Sequence, residues 1–204
     1  NLLWFQGDIR DVSELRAACE GVDTLFHTAA MIETLRDTPK LFGDLVRSVN
    51  IDGTKAVLRA AAESGARRFV QTSSIITASG YRHRGTAESV AYSRDPALYS
   101  APKVAAERLV LAANGTAGLL TTAIRPGGIY GPGERNTLIG PLMRSLKQGA
   151  PLVLFGSGDT RMDYTYIDSL VDAELRAAER LVEGSPVCGQ AYFITDGDPI
   201  NTGE

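Results

Sequence analysis

Cysteine is nearly absent. Only Cys19 and Cys188 occur, far apart and without a Cys-x-x-Cys or Cys/His ligand spacing, which leaves no zinc or disulfide framework and suits free thiols in a reducing compartment. Long apolar runs are missing too: no stretch of about 18 apolar residues is present, so no helical membrane span is expected. The opening "NLLWFQGDIRD" lacks the basic flank and small-residue cleavage site of a signal peptide, and cytoplasm is the expected compartment. Positive charge is not in excess. The formal net charge is -3, and Arg67-Arg68 and Arg82-His83-Arg84 are short surface clusters, so neither nucleic acid nor an anionic membrane is an expected partner. Internal repeats and low-complexity tracts are absent as well.

What remains is the composition of an ordinary globular protein. The 204 residues are 44% hydrophobic and 22% charged, enough chain to bury a core. Strand-like apolar runs alternate with helical patterns for most of the length. "LLWF" reads as a strand leading into "GDIRD"; Asp11 is placed to cap a helix, with Glu14 completing a capping box and Gly21 ending it. "VDTLFHTAA" reads as a short buried strand, 41–64 as a long helix closed by Gly65, and "RRFVQTSS" as the next strand. A looser polar segment covers 79–96, a helix over 99–114 stops at Gly115, and "LLTTAIRP" is again a strand. The helix "LIGPLMRSLKQG", short strands "PLVLF" and "DYTYI", a helix over 168–182 and the strand "QAYFIT" follow.

This alternation predicts an α/β fold, a doubly wound and mainly parallel sheet with helices on both faces. Ligands of such sheets gather beyond the carboxyl ends of the strands, where "GDIRD", "HTAA", "TSS" and "RPGGIYGPG" fall. One item is missing. A dinucleotide fold opens with a strand, a glycine-rich turn and a helix whose amino end holds the pyrophosphate. Gly127, Gly128, Gly131 and Gly133 are interrupted by Pro126 and Pro132, and Gly156 and Gly158 sit in a short loop, so neither group forms that turn. Together with the non-methionine start, this gives the expectation of a chain lacking its first βαβ unit, with roughly 50 further residues upstream.

The chemistry concentrates in "YSAPK". Tyr99 and Lys103 stand at i and i+4, on one helix face about 5–6 Å apart. A neighbouring cation favours the phenolate and would move Tyr99 toward general-base work near neutral pH. Pro102 is tolerable only in a first helical turn, so the helix is expected to begin close to Tyr99. By spacing alone, an ordinary amphipathic helix is the better explanation, because Tyr-x-x-x-Lys arises readily by accident.

In their order, "GDIRD", "TLFHTAA", "TSS", "YSAPK" and "RPGGIYGP" resemble the extended short-chain dehydrogenase/reductases, the epimerase/dehydratase superfamily, and most closely its 3β-hydroxysteroid dehydrogenase group. The resemblance implies a Rossmann-like fold, with 1–135 as a partial dinucleotide-binding domain and 136–204 as a segment mixing substrate-lobe and further sheet elements. It implies NAD or NADP as cofactor and the interconversion of a secondary alcohol and a ketone. Tyr99 would be the acid/base, Lys103 would lower its pKa and hold the nicotinamide ribose, and Ser74, preferred over Ser73, would orient the substrate oxygen. Asn50 either faces the site or braces two helices. Asp8 and Ile9 would meet the adenine, Ala29 and Ala30 would lie against the cofactor, Thr72 and Ser73 would adjoin it, and Pro126, Gly127, Gly128 and Ile129 would run under the nicotinamide. His27 reads as a packed strand-end residue, and no metal is expected. Epimerases of the superfamily place an arginine directly before the acidic residue of a segment like "DYTYID"; here that position is Met162, which favours an apolar small-molecule substrate. A nucleotide-sugar epimerase or dehydratase, and a non-catalytic dinucleotide-binding protein, are the alternatives. Two copies would pair through 41–64 and 99–114.

Overall fold

Asp11 opens the first regular element. In the computed structural model, which describes residues 2–32, 39–78, 87–94, 99–135, 139–149 and 161–201, its carboxylate accepts the N–H groups of Ser13 at 2.8 Å and Glu14 at 3.3 Å and starts α1, Val12–Cys19. The expected capping box forms only by half. The Asp11 N–H goes to the Asp8 carbonyl at 2.9 Å, and Glu14, freed of that donor, accepts the Asp8 N–H at 2.8 Å.

After α1 come β1 (Thr24–His27), α2 (Pro39–Arg47), a π-helical segment (Ser48–Gly53), α3 (Thr54–Glu63), β2 (Arg68–Thr72) and a 3-10 turn (Ile75–Thr77). Next are α4 (Ser100–Ala112), β3 (Leu120–Pro126), β4 (Gly128–Tyr130), α5 (Ile139–Lys147), β5 (Arg161–Met162), β6 (Tyr164–Tyr166), α6 (Ile167–Arg180), β7 (Ala191–Ile194) and β8 (Ile200–Asn201). The helix expected over 41–64 is thus three segments. "SVNIDG" is rich in weak helix formers, and there the winding loosens before α3 resumes. The expected strand "PLVLF" and most of the polar stretch 79–96 lie outside the described residues.

The chain divides into two compact units, Asn1–Arg125 with Glu174–Tyr192, and Pro126–Ala173 with Phe193–Glu204. The first is built on the sheet β1-β2-β3-β7, in which β1, β2 and β3 run parallel with Phe26 beside Val70 and Val70 beside Thr122. Phe69 and Val70 are buried on opposite faces of β2, as a strand covered by helices on both sides requires. Phe69 packs with Val57, Ala61, Val110 and Leu119, and Leu15 and Leu25 close over them. Full burial of a side chain of this size contributes about 1.5–3 kcal/mol. The edge strand β1 is less covered than expected: Phe26 stays 38% exposed, and only His27 is buried.

Leu2–Phe5 does not form the expected strand. Residues 2–8 have no regular structure, and Trp4 is 87% exposed. A strand needs a neighbour for its N–H and C=O groups and a layer for its side chains; apolar content alone supplies neither. Cys19 and Cys188 are both free thiols, as expected.

The second unit holds two ribbons. β4 lies parallel to β6, and β5 lies antiparallel to β8 with Met162 opposite Ile200. The Gly127 N–H donates to Thr165 Oγ1 at 2.8 Å, and that hydroxyl donates to the Ile194 carbonyl at 2.7 Å. Among the described residues, no helix is long and apolar enough to cross a membrane.

Candidate active site

Parallel β1 and β2 place the segments after His27 and Thr72 at the same edge of the sheet. Helix α4 begins there. Tyr99 is its N-cap, and the Lys103 N–H closes the first helical bond on the Tyr99 carbonyl at 3.2 Å. Pro102 therefore falls in the first turn, as its missing N–H demands. The Ser74 hydroxyl accepts the Ile76 N–H at 3.3 Å and lies beside the Tyr99 phenol, where it favours the ionised form. Ser74 and Tyr99 are thus brought together.

The phenol is not shifted down by Lys103. Burial dominates and raises the Tyr99 pKa, with the Ser74 bond opposing it. Lys103 is 4% exposed and directs Nζ to the Thr72 carbonyl at 2.8 Å. Burial pulls its ammonium down to about 8, against the opposing charge of Glu107. An ammonium has three N–H donors. The Thr72 bond uses one of them, and two remain without a partner among the described residues.

Asn50 lies in the π-helical segment and uses both ends of its amide on one residue. Its Oδ1 accepts the Met31 N–H at 2.7 Å, and its Nδ2 donates to the Met31 carbonyl at 3.0 Å. It braces a helix against the loop after β1, not two helices against each other. The Thr54 hydroxyl donates to the Asn50 carbonyl at 2.7 Å, so its single proton is committed and His27 Nε2, 3.0 Å away, must donate to it. His27 is then neutral with its proton on Nε2. Burial and, after it, the charge of Lys103 hold its pKa down at about 4.

Thr72 and Ser73 point to opposite faces of the sheet, as strand alternation requires. The Thr72 hydroxyl donates to Glu174 on α6 at 2.5 Å, and burial raises the pKa of that carboxyl. The Ser73 hydroxyl donates to Glu107 on α4. Both hydroxyls are engaged inside the first unit. Glu107 is fully buried and paired with Arg125, whose Nη2 lies 2.6 Å from Oε1. The sequence carries a signal for this pair: a charged residue in the apolar strand "LLTTAIRP" requires a partner.

Asp8, Ile9, Ala29 and Ala30 line one open cleft of about 850 Å³, together with Gly7, Met31 and Val49. Ile9 is seated on Gly53, where a Cβ would approach its Cδ1 to 2.7 Å. The Asp8 carboxylate is held by Arg10 through the Arg10 N–H at 2.9 Å and Nε at 2.9 and 3.0 Å, which keeps its pKa at about 2. Small side chains at 29 and 30 and an ionised acceptor at 8 fit an adenine and its amino group. In the second unit, Gly127 is explained by its own surroundings. A Cβ there would lie 2.3 Å from the Asp163 carbonyl oxygen. Gly128 and Ile129 pair with Tyr164 and Thr165 in the β4–β6 ribbon, and Pro126 ends β3.

The sequence profile of the 3-beta hydroxysteroid dehydrogenase/isomerase family matches residues 1–204. A 3 beta-hydroxysteroid dehydrogenase/Delta 5-->4-isomerase of Mycobacterium tuberculosis is 42% identical over 200 residues, covering 96% of this chain and 54% of its own length. A 3-beta-hydroxysteroid dehydrogenase of Mycolicibacterium neoaurum is 38% identical over 199 residues, with 96% and 54% covered. Among solved structures, a double mutant of the dTDP-glucose 4,6-dehydratase DesIV of Streptomyces venezuelae, crystallised with NAD bound, is 27% identical with a TM-score of 0.79 over 96% of this chain and 59% of its own. The chain spans about half the length of the mycobacterial relatives it matches. Its mainly parallel sheet with flanking helices is the Rossmann-like α/β fold of the solved neighbours.

Proposed function

Since the chain belongs to the 3-beta hydroxysteroid dehydrogenase/isomerase family, we propose that it carries the catalytic helix and part of the cofactor cleft of an NAD(P)-dependent oxidoreductase. The enzyme interconverts a secondary alcohol and a ketone, with a 3β-hydroxysteroid or similar apolar molecule as substrate. The observation that carries this reading is the head of α4: Tyr99 at its N-cap beside Ser74, and Lys103 one turn further on with Nζ fixed 2.8 Å from the Thr72 carbonyl.

The nicotinamide cofactor supplies the hydride acceptor or donor when bound. Tyr99 takes the alcohol proton in oxidation and returns it in reduction. Ser74 stabilises the ionised phenol and orients the substrate oxygen. Lys103, fixed on the Thr72 carbonyl, offers its two remaining N–H groups to the hydroxyls of a bound ribose. Asp8, Ile9, Ala29 and Ala30 hold the adenine side. Two copies pair through the helical stretches 41–64 and 99–114.

One preparation of the complete gene product, offered a hydroxysteroid or a UDP-sugar with NAD or NADP, tests the reading. Net growth of reduced-nicotinamide absorbance with the steroid alone is expected. Conversion of the UDP-sugar without net reduction would make the protein an epimerase or dehydratase, the chemistry suggested by the fold shared with DesIV. No turnover of either, with cofactor bound, would make it a dinucleotide-binding protein.

A further inference from the structure

Glu107 stands two turns beyond Tyr99 on α4, with Lys103 midway. Its side chain has no solvent exposure, and its partner Arg125 on β3 is 4% exposed. Arg125 Nε reaches both carboxylate oxygens at 3.1 Å, so the carboxylate is fixed in rotation as well as in place. Such a pair is a poor device for stability alone, because well-packed apolar residues serve as well in a core. Its hydrogen bonds point to another use.

Oε2 of Glu107 accepts from the Ser73 hydroxyl and, at 3.3 Å, shares the single proton of the Thr77 hydroxyl with the Ser74 carbonyl. These two residues bracket Ser74. Ser73 precedes it directly and is tied to β3 through its N–H on the Ile124 carbonyl at 2.6 Å. Thr77 grips the Ser74 carbonyl by its N–H at 3.1 Å and by the shorter, 2.8 Å arm of that shared hydroxyl bond, whose longer arm reaches Glu107. The backbone of Ser74 is therefore referenced, from both sides, to the helix that presents Tyr99.

We propose that Glu107 is a positioning residue for the Ser74–Tyr99 pair, fixing the Ser74 turn relative to α4 through Ser73 and Thr77 while Arg125 holds its carboxylate in that orientation. The proposal rests on the oxidoreductase reading above. It assigns no contact with substrate or cofactor to Glu107, Thr77 or Arg125.

The test uses the complete gene product and the steroid assay. Thr77→Val removes the hydroxyl relay and leaves the ion pair whole. Glu107→Gln combined with Arg125→Met removes both charges, so that no buried charge is left unpaired. Ser74→Ala and Tyr99→Phe serve as references. Thr77→Val is expected to lower kcat on the order of 10-fold at saturating substrate and cofactor, the scale of a small misplacement of a reacting group. Cofactor affinity should stay within about twofold, since the lost contact stabilises a geometry and not a complex. The pH of half-maximal alcohol oxidation should rise, as in Ser74→Ala, because a displaced Ser74 hydroxyl no longer favours the phenolate. Thr77→Val added to Ser74→Ala should cost nothing further. A lowered Tm with unchanged kcat and pH profile, or full additivity with Ser74→Ala, overturns the proposal. Should the doubly neutral variant fail to fold, Thr77→Val and its cycle with Ser74→Ala still decide the matter. If Ser74→Ala and Tyr99→Phe themselves leave turnover intact, the oxidoreductase site is wrong and the positioning role falls with it.

Discussion

Lys103 Nζ and the carbonyl oxygen of Thr72 are joined by a 2.8 Å hydrogen bond that ties the first turn of α4 to the last residue of β2. The bond gives a buried ammonium a fixed direction. It also divides the labour within the helix: Tyr99 is left beside Ser74, and Lys103 is tied to the strand end.

Tyr99→Phe should depress turnover by about 10²-fold or more, the usual worth of a positioned acid/base, with cofactor affinity nearly intact. Lys103→Met should damage both. Steady-state rates and a fluorescence titration of the cofactor check the pair, and near-normal turnover in Tyr99→Phe would move proton transfer to another group.

The two directions of the reaction should show opposite pH trends. Oxidation needs the phenolate of a group whose pKa burial has raised, so its rate should climb from neutral to alkaline pH. Reduction needs the phenol and should be favoured toward lower pH. Lys103 keeps its charge only below about 8, which limits the alkaline gain. Initial rates in both directions across one buffer series decide this, and parallel profiles would contradict it.

Stability should fall on acidification because of His27. Its folded pKa of about 4 lies below the ordinary 6.5, so between those values the unfolded chain binds more protons than the native one. The contribution is complete above the unfolded value and is lost as the pH drops toward about 4. From pH 7 to pH 5 the loss amounts to about 2 kcal/mol. Urea midpoints of the native protein and of His27→Gln, whose amide can still donate to Thr54, should converge at pH 5; equal pH slopes for the two would remove His27 from the account.

Asn50→Leu should cost about 2 kcal/mol or more, since it strips partners from both the N–H and the carbonyl of Met31. Faster hydrogen exchange at the Met31 amide would localise the damage. An unchanged exchange rate there would show that the loop after β1 is held by something else.

Gly127→Ala should destabilise the second unit by about 1–3 kcal/mol, the cost of overpacking, because its new methyl would meet the Asp163 backbone. Thermal or urea denaturation measures it. A neutral result would mean that the β4–β6 ribbon can shift to admit the methyl.

The sequence revealed α4 because Pro102 leaves only one place for its start, and it revealed the site's edge because "HTAA" and "TSS" each follow a β-rich run. What lay beyond it was partnership. Alternation along "QTSS" says that Thr72 and Ser73 face opposite ways, but not that Glu174 and Glu107 wait on those faces. The direction of the Tyr99 shift is hidden for the same reason: spacing reports the nearby cation and is silent on burial, which raises the pKa. "LLWF" has the composition of a strand, yet composition cannot provide the neighbour that makes one. The loosened turn at "SVNIDG" was announced by its weak helix formers, a signal that the surrounding apolar periodicity hid.

That loosened turn is a counting device. Each residue of an α-helix advances the winding by about 100°, so the register of a helix can be changed only in whole residues. Asn50 must meet Met31 and Gly53 must meet Ile9 from the same short stretch. Deleting one residue between Ser48 and Gly53 would restore regular winding and swing one of those contacts about a quarter-turn out of reach. In a surface loop a change of length is absorbed locally; here it would be transmitted along α2 or α3, and the spacing of this segment is therefore as constrained as the identity of its side chains.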